Sequence, residues 1–285
     1  MITTFLRLGR ISNLPTVWTN ALAAIVLVSV PKPVESPVLS FLAAGVALSF
    51  FYVGGMFLND AFDAEYDKAK RADRPIPNGE VSAQSVFAWG FGFLGVGLAL
   101  GATFGGRSAV VAVALAVAII LYDWLHKRVS FGPVIMATTR FLSYALAAMM
   151  AAGTMETTAL LPALGLFAYI IGLTYAAKQE EYDTIGSAWP LAVLAVPVLL
   201  IITAAVSTPL VISFAALFIA MLAQALWRLF RRQPGDVPIA VISMIAGISL
   251  YDATFIASAG QISLAVFAAS FFVLTLFLQR VARGT

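Results

Sequence analysis

Long apolar runs broken by short polar punctuation dominate the chain. Ten stretches carry almost no charge, at about 14–30, 38–58, 83–104, 108–125, 131–152, 158–177, 187–206, 208–229, 237–258 and 262–281. A helix needs about 20 apolar residues to cross a bilayer, so each run predicts a transmembrane helix. The runs at 187–206 and 208–229 are separated only by a Ser-Thr-Pro turn, and 237–258 contains Asp252. One of these three is a candidate re-entrant segment, which leaves nine or ten spans. The expected fold is all-α: one polytopic transmembrane helical bundle over residues 1–285, packed around a central cavity open to the cytoplasmic side.

Composition supports that pattern. Of 285 residues, 61% are apolar and 11% charged, with a mean hydropathy of +0.95. A soluble domain carries about 25% charged residues, so this chain cannot cover a water-facing surface. Zero cysteines exclude disulfides, thiolate catalysis and Cys-ligated metals, and a single histidine, His126, argues against a His-based zinc site. Arg7 and Arg10 before an apolar run superficially resemble a signal peptide; with further spans throughout, that run reads as the first transmembrane helix. The formal charge of +3 reflects loop lysines and arginines and gives nucleic-acid binding no support; membrane lipids are the expected surroundings.

The basic residues sort cleanly if there are ten spans. Lys32 and Arg107 fall on one side, Arg140 lies within a span, and every other Lys and Arg falls on the opposite side. The positive-inside tendency then places both termini in the cytoplasm, in a cell inner membrane. Most carboxylates gather on the same side, so the chemistry is expected there.

The densest polar stretch is "NDAFDAEYDKAKRADRPIPNG", residues 59–79. On a continuous helix Asp60, Asp63 and Asp67 share one face, with Asn59 beside it. Hard oxygen ligands without His or Cys suit Mg²⁺, which takes a few carboxylates and fills its other positions with water and phosphate oxygens. Lys68, Lys70, Arg71 and Arg74 follow, placed to hold the remaining phosphate charge, and Pro75 and Pro77 end the helix. The stretch reads as a site for Mg²⁺ plus diphosphate. The bland alternative is a solvated, charge-balanced helix end.

"NDAFDAEYD" resembles the N-D-x-x-D-x-x-x-D first motif of the UbiA superfamily of intramembrane prenyltransferases, and "RADRPIPNGEVS" resembles the R-x-x-R-P segment that follows it there. "RISNLPTVWTNALAA" is similar to the family's first helix, in which an Asn such as Asn13 or Asn20 lines the cavity. "LYDWLHKR" resembles the fourth-helix exit, a Tyr followed by a Lys, here Tyr122 and Lys127. The resemblance covers at least the first 185 residues. It implies an isoprenyl diphosphate substrate, Mg²⁺ dependence, and transfer of the prenyl group to a lipophilic acceptor, for which an aromatic compound is expected. Quinone rings, aromatic acids, macrocycles, glycerol lipids and sugar phosphates all remain open as acceptors.

Where the family carries a second D-x-x-x-D box, this chain has "YAAKQEEYDTIGS". Glu180 and Asp183 take the place of the two aspartates as ligands for a second Mg²⁺, with Lys178 near the phosphates. "YDWLHK", "GPVIMATTRFLSY" and "KQEE" look closer to a divergent branch that includes proteins of the EboC type, for which the resemblance implies less about the acceptor. The resulting expectation makes Asp60, Asp63, Asp67, Arg71 and Lys127 catalytic and Asn13, Asn59, Arg74, Tyr122, Arg140 and Lys178 substrate-binding. The metal ligands are Asp60, Asp63, Asp67, Glu180 and Asp183.

Arg140, deep in the fifth span, either contacts substrate or pairs with Asp123 or Asp252, because a lone charge there is costly. Asp123 reads as a group behind the metal or as an interfacial charge, and His126 as an interfacial histidine. Three rival functions fit parts of the pattern. A small-metabolite transporter would concentrate its polar residues near the midplane. An alcohol phosphotransferase would carry a D-G-x-x-A-R box, which is absent. A catalytically silent member would bind prenyl lipids.

Overall fold

The fold is described from a computed structural model covering residues 2–178, 188–204 and 208–281. Among these residues the secondary structure is helical throughout. A short interfacial helix α1 (Ile2–Leu8) and a 3₁₀ turn (Ile11–Asn13) lead into α2 (Leu14–Val28). There follow α3 (Pro37–Phe62), α4 (Ala64–Lys70), α5 (Ala83–Ala102), α6 (Gly106–Leu125), α7 (Gly132–Ala152) and α8 (Thr157–Lys178). A 3₁₀ segment (Trp189–Leu194) runs into α9 (Ala195–Ala204), then α10 (Pro209–Arg231), α11 (Asp236–Ser258) and α12 (Ile262–Val281) complete the bundle. Local signals set several boundaries. The Ser82 hydroxyl caps α5 by accepting from the Ser85 amide at 3.1 Å, a contact worth about 1 kcal/mol. Thr208 caps α10, with Pro209 in the first turn.

Burial is distributed as lipid requires. Large apolar side chains such as Val38, Val110 and Leu199 point outward, where hydrocarbon replaces water. The central helices are α2 and α11, whose most apolar windows are 78% and 72% buried, against 22% for α12. Between α3 and α5 the backbones approach closely. A Cβ on Gly54 would stand 2.9 Å from the Gly90 carbonyl oxygen, and one on Gly90 would meet Leu58 at 2.7 Å. Small residues at this crossing permit the packing that helix association in lipid depends on.

Among the described residues nine helices are long and apolar enough to span a membrane. The two ends of the bundle nevertheless lie on the same side, because Gln279, near the end of α12, donates to the Asn13 side chain at the start of α2. The passage that reconciles these facts is Pro190–Ala204. It runs alongside α8 in the opposite direction: Gly172 packs on Leu194 and Gly165 on Leu200. Its 3₁₀ opening rises about 2 Å per residue and α9 about 1.5 Å, so the segment covers roughly 25 Å, somewhat short of the hydrocarbon thickness of about 30 Å. The run expected at 187–206 is thus a short, stretched passage.

Candidate functional site

The cytoplasm-like end, where the basic residues gather, is built by the exits of α3, α6 and α8 and by the loop that follows α4. The acidic motif does not form one continuous helix. Asp63 terminates α3, and α4 restarts at Ala64. Residues seven apart still stay within about 20° of one another around the axis. Asp60 and Asp67 therefore meet one cation: Arg74 Nη1 lies 2.7 Å from Asp67 Oδ2 and 3.5 Å from Asp60 Oδ1. Asp63, expected on the same face, turns instead toward α6. Its Oδ2 is 2.9 Å from Lys127 Nζ and 3.5 Å from His126 Nε2. Lys127 also sits 3.5 Å from the centre of the Tyr66 ring, a cation–π contact. Burial pushes the Asp63 carboxyl up, but the hydrogen bonds and charges of His126 and Lys127 together hold it below the usual carboxylate range.

Arg10 completes the cluster, and the sequence reading had counted it only as a topology charge. Its Nη2 lies 3.0 Å from Asp60 Oδ1 and 3.2 Å from Asn59 Oδ1. Its backbone is in the left-handed region, φ 42° and ψ 47°, uncommon for a side chain with a Cβ. The Tyr52 hydroxyl donates to the Arg10 carbonyl at 3.2 Å. Behind it α1 is fastened down. Thr4 and Arg7 reach Glu80 at 2.7 and 3.2 Å, and Phe5 packs edge-on against Phe57 at 4.9 Å. Hydrogen bonds from Thr4 and Asn78, with Arg7 nearby, keep the Glu80 carboxyl below its ordinary range.

The remaining expected residues divide. Asn59 donates through Nδ2 to Asp123 Oδ1 at 3.1 Å and so belongs to the cluster. Tyr122 stacks on His126, with ring centres 5.0 Å apart. Lys178 Nζ reaches the His126 carbonyl at 3.2 Å, which brings the exit of α8 beside that of α6. Arg71 is half-buried just past α4, its amide bonded to the Asp67 carbonyl. Asn13 is engaged by Gln279. Glu180 and Asp183 lie outside the described residues.

Arg140 bonds neither Asp123 nor Asp252 directly. Its Nη1 donates to Asn20 Oδ1 at 3.0 Å, and Asn20 Nδ2 donates to Asp252 Oδ2 at 2.7 Å. The Asn20 amide accepts from one charge and donates to the other, linking α7, α2 and α11, while Asp252 Oδ1 has no partner among the described residues. A cavity of about 610 Å³ opens at the opposite end of the bundle between Leu22, Phe41, Leu264 and Phe267, and no charged side chain lines it.

The acidic motif suits Mg²⁺. Asp60 and Asp67 are 2% and 1% exposed, and Asp60 Oδ2 and Asp67 Oδ1 have no hydrogen-bond partner among the described residues. A buried carboxylate oxygen needs a partner, and Mg²⁺ takes one or two carboxylates plus water and phosphate oxygens. No three acidic or histidine side chains converge into a preformed metal cage among those residues. The motif therefore supplies part of a coordination shell, which matches a metal that arrives with phosphate.

A polytopic bundle of span-length apolar helices, with an acidic and arginine-rich cluster at one end, defines an integral membrane protein. The chain belongs to the UbiA prenyltransferase family, whose model matches residues 14–246. It is 34% identical over 142 residues to a digeranylgeranylglyceryl phosphate synthase of Metallosphaera sedula, covering 49% of this chain and 48% of that protein. The chain thus spans about half the length of that relative. The fold resembles a structure described under digeranylgeranylglyceryl phosphate synthase in membranes, with TM-score 0.63 and 18% identity over 92% of this chain and 100% of that one. It also resembles a UbiA homolog from Archaeoglobus fulgidus bound to GPP and Mg²⁺, with TM-score 0.54 and 13% identity over 96% and 99%.

Proposed function

We propose that the chain is a Mg²⁺-dependent prenyltransferase that moves an isoprenyl group from its diphosphate to the hydroxyl of a glyceryl phosphate lipid at the cytoplasmic face of a cell membrane. The observation that carries this reading is the meeting of Asp60, Asp63 and Asp67 with Arg10, Arg74 and Lys127 at one end of the bundle. The synthase named among the relatives supports a glyceryl phosphate acceptor over the aromatic one expected from sequence.

The residues divide the work by charge. Bound Mg²⁺ supplies positive charge that stabilises the departing diphosphate. Asp60 and Asp67 would hold it through their unpartnered oxygens, with Asp63 as a further donor; Glu180 and Asp183 are candidate donors by sequence alone. Arg10, Arg74 and Lys127, which pair with Asp60, Asp67 and Asp63, would supply positive charge to the phosphate oxygens. Arg71 and Lys178 stand at the rim for the same anion. Guanidinium groups fit phosphate through paired N–H donors. Burial of the cluster keeps water from the allylic cation that forms as the diphosphate leaves, and low local dielectric strengthens each contact.

The test is turnover by the purified protein with geranylgeranyl diphosphate and either geranylgeranylglyceryl phosphate or 4-hydroxybenzoate, with and without Mg²⁺. A doubly prenylated glyceryl phosphate formed only with Mg²⁺, and lost in Asp60→Asn, is the expected product. Prenylated benzoate would overturn the acceptor assignment. Tight binding of the diphosphate without turnover of either acceptor would identify a lipid-binding member instead.

A further inference from the structure

Asp123 has no part in the scheme above, yet it occupies a costly position. It is 4% exposed in the last turn of α6, within a membrane-spanning helix, and its Oδ2 has no partner among the described residues. Buried carboxylates of this kind are rare unless they serve a site. Two contacts hold α6 against α3 in parallel register. Asn59 meets Asp123 at 3.1 Å and, one helical turn on, Asp63 meets Lys127 at 2.9 Å.

The first contact decides which way the Asn59 amide faces. Asp123 Oδ1 accepts from Nδ2 at 3.1 Å, which commits the amide nitrogen to that side. Oδ1 is then directed to the opposite side, where Arg10 Nη2 stands 3.2 Å away beside Asp60. Turned over, the amide would present two N–H donors to a region built for a cation. We propose that Asp123 is a positioning residue that locks the Asn59 amide with its oxygen toward the metal and diphosphate. The proposal rests on the prenyltransferase reading and adds a residue to that site; the metal motif of the first box does not include it.

The experiment measures binding of a non-hydrolysable geranylgeranyl diphosphate analogue as Mg²⁺ is titrated, alongside thermal unfolding of each protein. Asp123→Leu keeps the volume and removes the acceptor; the Mg²⁺ needed for half-saturation should rise about tenfold, the lower end of what outer partners of metal ligands contribute. Asp123→Asn can face Asn59 with either end of its amide, so it should show a smaller rise of about threefold. In an Asn59→Ala background Asp123→Leu should add less than about twofold, because its effect passes through Asn59. Unchanged Mg²⁺ requirement in both single variants, or an undiminished Asp123→Leu effect without Asn59, overturns the proposal. If Asp123→Leu does not fold, the Asn variant decides alone: a shift supports the lock and a wild-type titration overturns it. Absence of Mg²⁺-dependent binding by the wild-type protein would instead sink the prenyltransferase reading and this proposal with it.

Discussion

The Arg10 guanidinium stands 3.0 Å from Asp60 Oδ1 while the Arg10 backbone holds a left-handed conformation, so a strained residue supplies a cation to the acidic motif 50 positions away. Backbone strain persists where the surrounding structure over-determines it, and that occurs most at functional sites. Two substitutions separate the side chain from the strain. Arg10→Ala keeps a Cβ in the left-handed region, which costs roughly 1–2 kcal/mol, whereas Arg10→Gly removes that cost. Both lose charge-assisted hydrogen bonds worth about 1.5–3 kcal/mol. Affinity for an isoprenyl diphosphate at saturating Mg²⁺ should fall at least about tenfold in both variants, with Gly the more stable of the two. Isothermal titration and thermal unfolding in detergent read the two effects separately, and undiminished affinity in both would remove Arg10 from the site.

Arg74 is 4% exposed and neutralises two buried carboxylates, Asp60 and Asp67. Removing one partner of a buried pair leaves charge without compensation, at a cost of about 3–5 kcal/mol. Arg74→Ala should therefore lose about 3 kcal/mol of unfolding free energy in mixed micelles. Asp67→Asn added to it should recover part of the loss by removing one stranded charge. An Arg74→Ala protein as stable as wild type would mean that the carboxylates are solvated or neutral.

The Asp63–Lys127 pair makes a pH prediction. The folded Asp63 carboxyl is held below its usual range, despite burial, by His126 and Lys127. Its stabilising contribution is present above the unfolded value of about 3.9 and is lost as pH falls through the lower folded value. Lys127→Met removes one of the groups that oppose burial, so the folded value rises toward or past the unfolded one and the stability lost on acidification shrinks. Thermal unfolding scanned from pH 3 to 7 should show the variant less stable than wild type near pH 7, with the gap closing toward pH 3. Superimposable profiles would show that Lys127 does not set the Asp63 charge.

Much of this was legible in the sequence, for reasons that particular residues make plain. Nine of the ten apolar runs match helices of spanning length within a few residues, because a bilayer imposes both length and composition on a helix, and the tenth, 187–206, corresponds to the shorter Pro190–Ala204. Asp60 and Asp67 were readable as a pair because their spacing is local and the helical period converts it into geometry, whereas the break at Asp63 turned that residue toward α6. Arg10 and His126 were not readable as members of the cluster, and Asp123 only as one of two alternatives, since their contacts depend on how the segments before α2 and at the end of α6 pack against α3. The insertion of Asn20 between Arg140 and Asp252 is likewise a tertiary fact, joining residues 120 and 232 positions apart. The positive φ at Arg10 is a local oddity that, among non-glycine described residues, only Arg232 shares, and nothing in "RLGRISN" demands it over the glycine one position earlier.

The short passage Pro190–Ala204 determines the topology of everything after it. If it crosses the membrane, the α10–α11 turn returns to the side of the acidic motif, as the contact of Gln279 with Asn13 requires of α12. If it does not, that turn lies on the opposite side. The chain has no cysteine, so single introduced thiols report position without background. Asn78 and Gln233, both exposed, serve one side, while Ser36 and Gln261, also exposed, serve the other. In sealed, oriented vesicles a membrane-impermeant maleimide should label Asn78→Cys and Gln233→Cys from one face and Ser36→Cys and Gln261→Cys from the other. Labelling of Gln233→Cys together with Ser36→Cys would mean that Pro190–Ala204 turns back within the bilayer. The α10–α11 turn, with its Arg231–Asp236 pair at 2.7 Å, would then be on the face away from the site.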